Sequence, residues 1–346
     1  MFLNLGFSNE WWNLNYGIDF SEETYLDPLK KALQQDQMNS IMAERFAKWG
    51  FLGNIDSTAT LSRPSVAVEP YGHRFIPAMF GAPVNYKYNQ APWAITTVLD
   101  KDFIMSNKPI SEKEFSESQP VREIARQCCI LRDNARECSA QQNMGSVMNT
   151  AIYLRGQDLF LDFDDSPEMV RKLFSLITNM MLVSYEYFCK IDRQKSPLGV
   201  GNCSVAMLSP RIYEEFVLPY DMEIMKYAKV AGVPFMIHQD SKVDPFIKSY
   251  KKFNYLVSFD IGCDTDVKSF RREFPDINLN VFVYTSLLHE KNEKELYDFF
   301  LSVAENGAPL GKIGFSVFDV DNGVPMSKIE SICNAFAHLK SRENSK

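Results

Sequence analysis

Pro234-Phe-Met-Ile-His-Gln-Asp240 is a short apolar run that stops abruptly on two side chains able to ligate a metal, His238 and Asp240. A run of this length reads as a buried strand, and chemistry at its exit marks an active site. Three later runs repeat the arrangement: 255–259 ends on Asp260, 279–283 on Tyr284, and 314–318 on Asp319. Helical segments near 210–230, 244–252, 266–274 and 293–305 fall around them. Strands alternating with helices imply a parallel sheet covered by helices, and the regular succession favours a closed α/β barrel over an open doubly wound sheet. No glycine-rich phosphate fingerprint follows any strand, which counts against a dinucleotide fold.

Upstream, helix starts are marked at Asp165-Ser-Pro-Glu168 and Leu208-Ser-Pro-Arg211, where Ser can cap and Pro occupies the first turn. Residues 1–110 read differently. Trp11, Trp12, Tyr71, Phe80, Tyr86, Tyr88 and Trp93 are separated by prolines and glycines, so this stretch is expected to be an irregular N-terminal cap within a single domain spanning 1–346.

The chain has 346 residues, 45% hydrophobic and 23% charged, and a net charge of −7, which opposes a nucleic-acid partner. The short cluster Lys248, Lys251 and Lys252 reads as a solvated helix face. No run is long enough to span a bilayer and the N-terminus lacks the pattern of a secretory signal, so a cytoplasmic protein is expected. Seven scattered cysteines without a C-x-x-C pair read as free thiols, and the adjacent Cys128 and Cys129 as packing residues.

Four segments, Thr150-Ala-Ile-Tyr-Leu-Arg-Gly156, Leu161-Asp-Phe-Asp-Asp-Ser-Pro-Glu-Met-Val170, Leu208-Ser-Pro-Arg-Ile-Tyr-Glu-Glu-Phe-Val-Leu-Pro-Tyr220 and Ala231-Gly-Val-Pro-Phe-Met-Ile-His238, together resemble the uroporphyrinogen decarboxylase superfamily. The likeness covers roughly 140–340 well. It implies a (β/α)8 TIM barrel. Within the superfamily the chain looks closer to methylcobamide:thiol methyltransferases and O-demethylase relatives, whose barrel strand ends on His-x-Cys. In those enzymes zinc held by this histidine and two cysteines activates the acceptor thiol. Here Asp240 replaces the first cysteine and Asn322 falls where the second would be. His238 with carboxylates from Asp240, Asp319 or Asp321 can still make an oxygen-rich zinc site.

The resemblance thus implies corrinoid-linked methyl transfer to or from a small molecule, with the corrinoid carried by a partner protein. Metal-free decarboxylation of a porphyrinogen is the alternative, although the arginine motif of the decarboxylase is missing from a chain whose first arginine is Arg45. A barrel that only binds a small ligand is the third reading.

Residue by residue, His238 and Asp240 are the expected metal ligands, with Asp321 as a third. On an extended strand the first two face the same way, although Asp240 also suits an N-cap for the segment beginning near Val243. Asp260 suits either a partner that orients His238, an acid/base near the substrate, or a loop cap. Tyr284 and Asn202 are further catalytic candidates, Asn202 because its position matches one near the substrate in relatives. Asp319 and Asp321 also read as turn chemistry in Asp319-Val-Asp-Asn-Gly323. Cys203 shares the position of Asn202 and is the one cysteine that is a candidate for function, but no cation that would activate it is evident in the sequence, which favours a buried inert thiol. His73 and Trp93 either line the cap or pack it.

Overall fold

Strand β7, Phe235–Gln239, alternates as the sequence suggests, with Phe235, Ile237 and Gln239 fully buried on one face and Met236 and His238 half-buried on the other. The computed structural model describes residues 1–46, 48–49 and 65–344. Five further strands join β7 in one parallel sheet: β1 (Leu3–Phe7), β6 (Leu198–Gly201), β8 (Ser258–Gly262), β9 (Asn278–Val283) and β10 (Ile313–Val320), in the order β1-β10-β9-β8-β7-β6. The first strand of the chain thus pairs with the last, Leu3 opposite Phe315 and Leu5 opposite Val317, and the sheet curls into a half-barrel.

Two strands of two residues each, β2 (Val66–Ala67) and β5 (Cys138–Ser139), pair in parallel with one another. The Gly201 amide donates to the Gly145 carbonyl at 2.9 Å, linking β6 to the segment that follows β5. The pairing is therefore six strands plus two, where the sequence suggested eight in one closed barrel. An antiparallel hairpin of β3 (Val84–Lys87) and β4 (Gln90–Ala94) stands apart.

The expectation of an irregular cap over 1–110 is corrected at its start. Leu3, Leu5 and Phe7 alternate as a buried strand face, and the helices Asn9–Tyr16 and Pro28–Phe46 follow. Trp11 and Trp12 are core residues, with Trp11 stacked on Phe7 at 4.0 Å between ring centres. The part at 47 and 50–64 lies outside the described residues. Among the described residues of this segment, those that reach the cavity described below are His73, Arg74, Pro77 and Ala91.

The helix that starts at Ser209-Pro210 contains a π-helical turn at Tyr213–Val217 before it continues as Leu218–Ala231. Pro219 explains it: proline has no N–H to give the Glu215 carbonyl, and its ring crowds that carbonyl. The released Glu215 oxygen accepts from the Arg171 guanidinium at 3.1 Å. Expected starts at Ser166-Pro167 and Ser209-Pro210 are both present; the Ser209 hydroxyl caps Ile212, whereas Ser166 makes no cap bond and receives Lys101 Nζ instead.

All seven cysteines are free thiols; Cys128 packs in the core but Cys129 is exposed, so only the first is a packing residue. No helix among the described residues is long and apolar enough to cross a membrane.

Candidate functional site

Register builds the site. Parallel pairing sets His238 beside Asp260 and Asp260 beside Asn280, so one polar lane runs across β7, β8 and β9 on the face away from the buried Phe259, Ile261, Leu279 and Val281. His238 Nδ1 lies 2.9 Å from Asp260 Oδ2, Asn280 Nδ2 donates to Asp260 Oδ1 at 3.1 Å, and the lane continues through Ser316 towards Asn4. Asp260 accepts from Nδ1–H, which leaves Nε2 as the nitrogen facing outward, and without a metal both ring nitrogens carry a proton.

Nε2 faces Asp240, whose Oδ2 is 3.7 Å away. The third member of the group is Cys203, in the turn after β6, which interacts with both His238 and Asp240. One ligand atom each from Cys203, His238 and Asp240 lies within 4.8 Å of the others. Gly201 is the register partner of His238, so the neighbouring strand end delivers this thiol. Burial by itself would lower the pKa of His238, but bonds to Asp240 and Asp260 outweigh it and push it up to about 12. The same imidazole, against the opposing effect of burial, holds the Asp240 carboxyl below its ordinary value.

These three residues open on a cavity of about 910 Å³. Phe282, whose ring meets His238 edge-on at 4.6 Å, and Phe318, stacked on Phe282, form one wall with Tyr284. The opposite wall carries His73, Arg74, Asn143, Asn149 and Tyr153. Arg74 stacks over the Tyr153 ring at 4.0 Å and reaches the His73 carbonyl at 3.4 Å. No carboxylate among the described residues pairs with it. Burial lowers its pKa, and it lies within electrostatic reach of Cys203.

Of the expected site residues, His238, Asp240, Asp260 and Tyr284 meet here. Asp240 is not a helix cap, because the Val243 amide bonds Thr265 Oγ1. Asp260 is the orienting partner rather than a loop cap, since it lies inside β8. Tyr284 lines the cavity and donates to Asp264 at 2.7 Å; burial, then that carboxylate, raises its pKa. Asp319 also lines the cavity, with a left-handed φ of 56°.

Two expectations are corrected. Asp321 stands outside the group: it accepts from His289 Nε2 at 2.8 Å and from the Gly323 amide, a turn held by hydrogen bonds. Asn202 does not face the substrate space; it is fully buried and its side chain bonds Asp221. His73 lines the cavity, whereas Trp93 is exposed on the hairpin.

Sequence reasoning set Cys203 aside and never weighed Arg74. The signal for Cys203 was its place two residues past a strand that neighbours the His238 strand, and the cations that the sequence did not reveal, Arg74 and His238, come from distant segments.

No curated protein matches the chain. The profile of the family described as uroporphyrinogen decarboxylase (URO-D) matches residues 50–282, more than half of the length. The half-barrel with its lane of polar side chains is thus the scaffold of a chain that belongs to the uroporphyrinogen decarboxylase family.

Proposed function

We propose that the protein is a methyl-transfer enzyme acting on a small molecule at a metal centre held by Cys203, His238 and Asp240. The observation that carries this reading is the approach of sulfur, nitrogen and carboxylate oxygen to within 4.8 Å at the floor of the cavity. Such a donor set suits zinc, with three protein ligands and one position left for substrate. When bound, zinc supplies Lewis acidity to a substrate heteroatom and lowers its pKa.

The chain's own groups have separable tasks. Asp260 holds the proton on Nδ1, so that Nε2 is the nitrogen a metal would take by displacing the ring's second proton. Phe282 and Phe318, stacked on one another, give the floor an apolar side. Arg74, stacked but unpaired among the described residues, offers two N–H groups to an anionic substituent such as a carboxylate. One such cation suits a small acceptor with a single anionic group better than a porphyrinogen with many. Cys203 also restores a sulfur donor that the His-x-Asp sequence had removed, which disfavours a barrel that merely binds. A corrinoid, carried by a partner protein, is the methyl carrier in this reading.

The test is metal content in protein purified without tag or added metal, beside His238→Ala and Cys203→Ser. One zinc per chain, lost in His238→Ala with the fold retained, is expected, followed by methyl transfer between methylcobalamin and a small thiol. Turnover of a porphyrinogen by metal-free protein would sink the proposal in favour of decarboxylation.

A further inference from the structure

Behind the floor of the cavity lies a carboxyl group without a counterion. Asp221, on the Leu218–Ala231 helix, is fully buried. Its Oδ2 accepts from Asn202 Nδ2 at 2.7 Å and from the Tyr213 hydroxyl at 3.0 Å. Its Oδ1 has no partner, and neither has Asn202 Oδ1, among the described residues. The titratable groups around it are the phenols of Tyr213 and Tyr250, both fully buried, and no Lys, Arg or His contributes. Burial pushes the Asp221 carboxyl up to about 7, against the two hydrogen bonds that it accepts.

Two groups that already share one bond each keep one free oxygen. Two oxygens attract each other only when one carries a proton, and a single proton on Asp221 Oδ1 would satisfy both while removing an uncompensated buried charge. The Asn202 backbone N–H, in turn, donates to the His238 carbonyl at 2.6 Å, and the next residue is Cys203.

We propose that Asp221 is held as a neutral carboxylic acid, joined to Asn202 in a cyclic acid–amide pair that fixes the turn carrying Cys203. Asp221 is then a positioning residue: it touches no substrate but sets where the thiol stands relative to His238. Its effect on metal binding rests on reading the Cys203, His238 and Asp240 group as a metal centre. The protonation state does not.

Two measurements separate these points. The infrared spectrum at pH 6 should contain a protonated carboxyl C=O band that shifts in D₂O and is missing from Asp221→Asn. Identical spectra for the two proteins overturn the pair. Cobalt(II) then serves as the probe, because ligation by Cys203 gives a thiolate-to-metal absorption band. Asp221→Asn keeps every bond of the pair and should bind cobalt as the parent does. Asp221→Ala leaves Asn202 unpartnered and should lose affinity on the order of 10- to 100-fold, as other outer partners of ligands do. Equal losses in both variants would mean that a negative charge is what the site needs, which overturns the neutral acid. Undiminished binding in Asp221→Ala overturns the positioning role. If Asp221→Ala does not fold, Asn202→Ala breaks the same pair from the other side. A parent protein that takes up no cobalt overturns the metal reading, and the infrared result alone then decides the pair.

Discussion

Asp260 governs what His238 can do. Its Oδ2, 2.9 Å from Nδ1, is itself steadied by Asn280 at 3.1 Å on Oδ1, so the imidazole is gripped from the far side of its ligand nitrogen. Removing that grip frees the ring to rotate and no longer fixes which nitrogen faces the cavity. Asp260→Ala should therefore weaken zinc binding on the order of 10- to 100-fold, measured by competition with a chromophoric chelator. Unchanged affinity would show that the ring is held by Phe282 packing instead. His238, Asp240 and Asp260 were legible in the sequence because each closes, or nearly closes, an apolar run. Cys203 was not, because β6 is only Leu198–Gly201 with two glycines in it, too weak an apolar signal to mark the residues after it as a strand end.

Strands and helices carried the same asymmetry of legibility. The long apolar runs of β7, β9 and β10 announced themselves, whereas β2 and β5 are two residues each and leave no periodicity to read. β1 does alternate, Leu3-Asn-Leu-Gly-Phe7, but its pattern was masked by the prolines, glycines and aromatics that dominate the segment after it. Where elements meet, glycine marks a close approach. A Cβ added at Gly262, at the end of β8, would run into the Tyr284 hydroxyl and come within 2.8 Å of the Ser241 carbonyl. The Gly262 amide also bonds that carbonyl at 3.1 Å, so the backbone cannot easily retreat. Gly262→Ala should destabilise by roughly 1–3 kcal/mol and displace Tyr284 from the cavity wall. Denaturant titration reads the first effect and Tyr284 fluorescence or NMR the second. A neutral substitution would mean that Tyr284 swings away at no cost.

Across the whole molecule, two buried carboxyls respond to acid in opposite directions. Composition told of a net negative charge but nothing of this, because it carries neither burial nor pairing. Asp162 accepts from Arg155 Nε at 2.6 Å and pairs with Lys101 at 3.1 Å, while Arg155 also reaches the Leu99 carbonyl. This knot fastens the Val147–Arg155 helix, which carries Asn149 and Tyr153 of the cavity, to the segment around Leu99. Burial would raise the Asp162 carboxyl, but Arg155 and Lys101 outweigh it and hold it below 3.8. A depressed folded value means that the unfolded chain binds the proton first, so this stabilisation is full above 3.8 and fades as pH falls through the folded value. Asp221 has the opposite sign: its raised value favours the folded state at low pH, and that advantage is lost as pH rises from 3.8 to about 7. Asp162→Ala, which leaves the buried Arg155 only the exposed Asp158 carboxylate at 3.8 Å, should cost on the order of 3 kcal/mol at neutral pH. Urea unfolding across pH 2–8 tests the pair of signs: the gap between parent and Asp162→Ala should close below 3.8, whereas the gap between parent and Asp221→Asn should open in the variant's favour between 3.8 and 7. Parallel curves in either comparison would mean that the carboxyl concerned titrates alike in the folded and unfolded chain.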